Sequence, residues 1–179
     1  MLGLRYGTVR LVAYRPEWAR AFVEERARLS EALSGLTCEI EHVGSTAVPG
    51  LLAKPILDIA VGLFHASSVE EAVSAIRGLS YQYQCDAGSE GGHVLVREAE
   101  PLVRTHHVHV VELGDPQWEA YLLFRDFLRE HRHAREAYGA EKVALAHRHS
   151  GDREAYTEAK DGIVRELLAE ARRFGGRCS

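Results

Sequence analysis

The spacing of apolar positions changes period several times along the chain, and each change marks an element. VRLVAY, residues 9–14, predicts a short extended piece. Pro16 suits the first turn of a helix, where its missing N–H costs nothing. Trp18, Phe22, Leu29 and Leu33 then recur on one helical face, and Gly35 offers a stop. TCEIEHV, residues 37–43, alternates and predicts a strand. Gly44-Ser45-Thr46 and Pro49-Gly50 punctuate a loop. Ile56-Leu57-Asp58-Ile59-Ala60-Val61 predicts a buried strand with one carboxylate set into it. Ser67 and Ser68 each precede a Glu by three residues, a doubled capping-box pattern, and the helix behind them presents Val69, Val73, Ile76 and Leu79 inward.

Residues 81–84 suit a short strand, and residues 86–92 read as a glycine-rich loop. HVLVR (93–97) and THHVHVVEL (105–113) predict two antiparallel strands joined by a turn near Pro101. Asp115-Pro116 is a strong helix start, followed by an apolar face of Trp118, Tyr121, Leu122, Phe124 and Leu128. Residues 132–173 are helical in character, broken at Ser150-Gly151-Asp152, with Ile163, Val164, Leu167 and Leu168 packing inward. The expected architecture is α/β: a mixed central sheet flanked by helices, then a helical C-terminal portion. No linker marks a boundary, so residues 1–179 are expected to form one domain, with an α/β core over 9–114 and helices over 115–173 packed on it.

Charge narrows the functional classes. The 22 Lys+Arg against 26 Asp+Glu give a net charge of −4, which leaves no extended nucleic-acid surface. No apolar run reaches the ~18–20 residues needed to span a bilayer, and the first residues lack the apolar stretch of a signal peptide. Cys38, Cys85 and Cys178 form neither a disulfide framework nor a metal knuckle. A cytoplasmic location is therefore expected. Histidine is unusually frequent, with ten in the chain.

Three groups of residues bear on chemistry. Gly44 lets backbone approach a ligand closely, and the Ser45 and Thr46 hydroxyls with nearby N–H groups suit a phosphate. The other reading is an ordinary turn. Lys54 adds a point charge. Asp58 within a buried strand needs a metal, a cation or several donors, unless it caps a helix. On an extended segment Thr105, His107 and His109 share one face while His106 shares the other with Val108. His107 and His109 can thus reach one metal ion or one phosphate. His131, His133, His147 and His149 are paired at i, i+2, which points helical side chains apart, so they read as solvated helix ends. Glu41 and His42 alternate, so at most one of them faces the site. There is no GxSxG elbow, P-loop or GxGxxG, which disfavours serine hydrolases, P-loop kinases and dinucleotide-dependent dehydrogenases.

The block His42-Val43-Gly44-Ser45-Thr46-Ala47-Val48-Pro49-Gly50-Leu51 with Ala53-Lys54-Pro55-Ile56-Leu57-Asp58-Ile59 resembles the signature of the GrpB family. Arg104-Thr105-His106-His107-Val108-His109-Val110, Phe124-Arg125-Asp126-Phe127-Leu128-Arg129 and Asp152-Arg153-Glu154-Ala155-Tyr156-Thr157 resemble it too. The resemblance runs over residues 9–173. It implies a nucleotidyltransferase-like fold, and related domains fused to dephospho-coenzyme A kinase imply a link to coenzyme A metabolism. In that superfamily a Gly-Ser turn holds nucleotide phosphates and carboxylates on the next strand hold Mg²⁺. Gly44, Ser45 and Asp58 match that pattern. Ala60 does not, because a second carboxylate is expected two residues after the first.

The expected function is accordingly that of a nucleotidyltransferase-like protein binding a nucleotide or other phosphorylated small molecule. Asp58 is the expected catalytic residue, as metal ligand or base. Gly44, Ser45, Thr46, Lys54, Arg104 and Lys160 are the expected phosphate contacts. Asp58, His107 and His109 are the expected ligands of a divalent cation. Nitrogen donors favour Zn²⁺ or Mn²⁺ over Mg²⁺. Two other classes stand beside this: a non-catalytic binding module of the same fold, and a His/Asp metal-dependent phosphohydrolase.

Overall fold

A computed structural model describes residues 2–86 and 92–175. The strands are β1 (Leu4–Arg5), β2 (Cys38–Val43), β3 (Leu57–Leu63), β4 (Gln82–Asp86), β5 (His93–Glu100) and β6 (Val103–Glu112). The helices are α1 (Glu17–Ala32), α2 (Val69–Arg77), α3 (Pro116–Glu130), α4 (Arg132–Arg148) and α5 (Arg153–Gly175). The sheet order is β2-β3-β6-β5-β4, with β1 pairing β6. β3 and β6 run parallel at the centre, and the other pairings are antiparallel. The mixed α/β expectation therefore holds.

Alternation assigns the two faces of the sheet. Leu57, Ile59, Val61 and Leu63 of β3 join Val108 and Val110 of β6 in the main apolar cluster, under Trp18 and Leu29 of α1 and Ala72 and Ile76 of α2. Burying each Leu, Ile or Val side chain among them stabilises the fold by about 1.5–3 kcal/mol relative to exposure. A polar network crosses the same face. The buried Glu25 carboxylate accepts from Arg97 at 2.8 and 2.7 Å and from Tyr81 at 2.9 Å, and Arg97 donates to His106 at 3.0 Å. His106 is thus committed to the side away from His107, as the period of two requires.

The other face carries Asp58, Ala60, His107 and His109, and α3, α4 and α5 stand over it. Val43, Ala60, Val111 and Trp118 pack together where α3 meets the sheet. Gly62 allows that approach, because a Cβ there would lie 2.8 Å from the Trp118 ring. Val48, Leu51, Phe127, Tyr138 and Leu167 bind the helices to one another and to the loop after β2.

Several local expectations are revised. Residues 9–14, expected only as an extended piece, stay outside the sheet's strands, and Val12 makes an isolated bridge to Ala53 with hydrogen bonds of 2.9 and 3.0 Å. Ser68 makes no side-chain cap, since its backbone is already helical (φ −89°, ψ 0°) as the end of a 3-10 turn, Ala66–Ser68. A capping hydroxyl needs an extended backbone to face the helix N–H groups. Asp115 has that backbone, and its carboxylate accepts from Gln117 N at 2.6 Å. Of the loop expected over 86–92, Asp86 instead ends β4, and residues 87–91 lie outside the described residues.

Candidate functional site

The site grows from the register of the two central strands. Asp58 of β3 stands opposite His107 of β6, and Ala60 opposite His109. In-register neighbours on one face converge. Asp58, His107 and His109 each offer a ligand atom, and these atoms all lie within 4.8 Å of one another. The position where a second carboxylate was expected is Ala60, fully buried, and the imidazole of His109 comes from the adjacent strand at that level.

Gly44 closes the end of β2 against this group. Its φ is +67°, and a Cβ would lie 2.6 Å from Asp58 Oδ2. Only glycine fits on both counts. The turn it begins, Ser45–Ala47, is held from outside. Arg129 Nε donates to Ala47 O at 2.9 Å, and Arg125 donates to Glu41 at 2.5 Å and to His42 O at 3.1 Å. Of the pair in β2, Glu41 therefore lies on the site's side of the sheet. His42 stacks on Phe22 of α1 on the other side.

The tautomer of His107 follows from its partners. Arg153 Nη2 lies 3.1 Å from His107 Nε2, and Asp58 Oδ1 lies 3.0 Å from Nδ1. A guanidinium only donates. Nε2 must accept, so Nδ1 carries the proton and donates to Asp58. Burial, with Arg153 and Lys54 nearby, lowers the His107 pKa against the pull of Asp58, in keeping with a neutral ring. Burial alone would push the Asp58 carboxyl up. The His107 hydrogen bond and the positive charges around it prevail and hold it well below the usual carboxylate range.

A cavity of about 250 Å³ opens beside these groups, lined by Ser45, Lys54, Asp58, His107, His109, Lys142, Arg153, Tyr156 and Lys160. Lys54 and Lys160 each stand 5.3 Å from the Tyr156 ring centroid. Lys142 is buried, donates to Ser45 Oγ at 2.9 Å and to Leu52 O, and lies over Tyr138. Burial and the charges of Lys160 and Lys54 push its pKa well down. Lys54 is pushed down to about 7 by burial, Lys160 and Arg153. A second cavity, of about 390 Å³, shares Asp58 and His109 with the first and is lined further by Gly44, Gln117, Tyr121, Phe124, Asp161, Val164, Arg165 and Leu168.

Of the residues singled out from the sequence, Ser45, Lys54, Asp58, His107, His109 and Lys160 meet at the first cavity, and Gly44 abuts Asp58. Thr46 lies elsewhere: it is buried and pairs with His42 at 3.0 Å, on the α1 side. Arg104 also lies outside the cavity lining, donating to Gln84 at 2.9 Å and covering the Tyr6 ring at 4.4 Å. Lys142, Arg153 and Tyr156 were not singled out as site residues. Lys142 breaks an apolar stripe of Ala134, Tyr138 and Leu145, which is a signal the sequence did contain. Nothing in the sequence says which cation across the chain would meet Asp58.

A mixed α/β protein with a cationic, Asp/His-lined cleft over a parallel strand pair is the class defined by this fold and site. The chain belongs to the GrpB family, whose model, described as GrpB protein, matches residues 8–170. A UPF0157 protein of Pseudomonas aeruginosa is 42% identical over 87% of this chain and 64% of its own length. The crystal structure of the conserved protein GrpB from Enterococcus faecalis superposes with a TM-score of 0.80 at 33% identity, covering 90% of this chain and 96% of that one. A dephospho-CoA kinase of Mycolicibacterium paratuberculosis is 27% identical over 91% of this chain, which spans 46% of that protein. Among the described residues, no helix is long and apolar enough to cross a membrane.

Proposed function

We propose that the protein binds a nucleotide or other phosphorylated small molecule and, with a divalent cation, transfers its phosphoryl or nucleotidyl group. One observation carries this: among the described residues, Lys54, Lys142, Lys160 and Arg153 converge on one cavity against the carboxylate of Asp58, in a chain whose net charge is −4. Such a local concentration of cations in a concave, partly desolvated wall attracts and holds an anion. The turn at Gly44-Ser45, with Lys142 on the Ser45 hydroxyl, positions phosphate oxygens. Lys54 and Lys160 offset their charge.

The donor set of one carboxylate and two imidazoles fits a divalent ion of Zn²⁺ or Mn²⁺ character better than Mg²⁺. Asp58, His107 and His109 would hold it, and it would supply charge neutralisation at a transferring phosphoryl group. Asp58 suits the ligand's role rather than the base's, because an efficient base has a pKa near the working pH. The second cavity supports an organic body on the phosphate. Tyr121, Phe124, Val164 and Leu168 give it apolar walls, and Gln117 and Asp161 give it polar edges. α5 serves both cavities, with Tyr156 and Lys160 on the first and Val164 and Leu168 on the second.

A binding module without turnover is the second reading, favoured by Ala60 in place of a second carboxylate. Calorimetric titration with a nucleotide panel and dephospho-coenzyme A, with and without Mn²⁺, tests both. Sub-millimolar binding strengthened by Mn²⁺ and lost in Lys160→Glu is expected. Absence of any binding tighter than millimolar contradicts the proposal. Binding that survives Asp58→Asn, with no turnover of any panel member, selects the module.

A further inference from the structure

We propose that Arg153 is a positioning residue that couples cation to anion: its guanidinium occupies His107 until a phosphate draws it away, so the two ligands bind cooperatively. This rests on the anion-and-cation reading above, and the inference concerns how the two halves of that site communicate.

The imidazole of His107 has two nitrogens, and both are engaged. Nδ1 donates to Asp58 Oδ1 at 3.0 Å, and Nε2 accepts from Arg153 Nη2 at 3.1 Å. A cation taken through Nε2 replaces Arg153 directly. A cation taken through Nδ1 leaves the neutral ring with its proton on Nε2, pointing at a guanidinium that can only donate. Either route breaks the Arg153–His107 hydrogen bond, so the cation must displace the guanidinium whichever nitrogen it uses.

One donor of the displaced group already lacks an acceptor. Among the described residues, Arg153 Nη1 is buried with no hydrogen-bond partner. A buried, unmatched donor costs free energy until something accepts from it. Arg153 lines the same cavity as Lys54 and Lys160, where a phosphate would rest. The fork of a guanidinium matches two phosphate oxygens, so an anion there accepts from Nη1 and Nη2 together. That satisfies the orphan donor and releases Nε2 in one movement. Linkage then requires each ligand to tighten the other by the same factor.

Mn²⁺ and inorganic phosphate are the probes, with free Mn²⁺ read by electron paramagnetic resonance on the full chain. In the wild type, saturating phosphate should tighten Mn²⁺ about tenfold, within the ~5–150-fold range typical of coupled sites. Arg153→Gln should bind Mn²⁺ that tightly without phosphate, and phosphate should add little. Arg153→Met repeats the test if the first variant melts early. Arg104→Gln removes a charge that acts on Arg153 from outside the cavity lining, without touching His107; it should tighten Mn²⁺ less and keep the phosphate effect. The proposal is overturned if both Arg153 variants match the wild type without phosphate, or if phosphate still tightens Mn²⁺ tenfold in them. It is overturned equally if Arg104→Gln matches them, or if no protein binds Mn²⁺. Phosphate that binds the wild type by calorimetry without cation, yet shows no coupling, overturns this inference alone; phosphate that does not bind at all removes the anion site itself.

Discussion

Lys54 shows how the site is tuned by crowding. Its ammonium is half-buried beside Lys160 and Arg153, and the pKa falls from 10.5 to about 7. The sign of the consequence is fixed. Below about 7 the folded protein holds Lys54 charged, and above it the charge is lost, while an unfolded chain keeps the proton until about 10.4. The unfolded state therefore binds more protons between these values, and stability contributed at this residue rises with pH across that window. Anion affinity runs the other way. Binding of sulfate, which stays a dianion across this window, should weaken as pH climbs through 7, and Lys54→Met should flatten that dependence while lowering affinity at pH 6. Calorimetric titration at pH 6 and 8 checks it; a wild-type affinity that rises with pH contradicts it. Asp58 contributes no such step, because its carboxyl stays ionised throughout this range.

The β2 turn is the element on which the site's shape depends most. Gly44→Ala places a methyl at φ +67° and 2.6 Å from Asp58 Oδ2. The strained backbone and the overpacked carboxylate together should cost about 1–3 kcal/mol, read as a lowered midpoint in urea. An unchanged midpoint would mean that the turn and Asp58 separate freely. Much of this element was readable in advance. Alternation placed the strand at residues 37–43, glycine and serine marked the turn, and the period of two divided His106 from His107 and His109. What alternation cannot supply is which strands lie side by side. The parallel pairing of β3 with β6, which sets Asp58 opposite His107, joins segments 49 residues apart. Thr46 was misplaced for a related reason: a one-residue step through a 3-10 turn sends its hydroxyl to His42 on the far layer. Lys142 and Arg153 lie on helices whose docking is set by distant apolar contacts, so their convergence left no local mark.

Across the whole molecule, charge is separated from its mean. The chain is acidic overall, yet its cavity over β3 and β6 gathers cations from α4, α5 and the segment before β3. The opposite layer is mainly apolar, and its Glu25 network carries its own compensating arginines. One face thus supplies the cohesion, and the other tolerates clustered like charges that a bound anion would relieve. Because a ligand that binds only the folded state stabilises it by mass action, phosphate should also raise the thermal midpoint.

The most direct measurement is a crystal of this protein soaked with tungstate, a tetrahedral stand-in for phosphate, and Mn²⁺, with both located by anomalous scattering. Tungsten is expected among Ser45, Lys54, Lys160 and Arg153, with Mn²⁺ within coordination distance of Asp58, His107 and His109. Ordered tungsten and manganese confined to the outer surface, with the cavity over β3 and β6 empty of both, would contradict it.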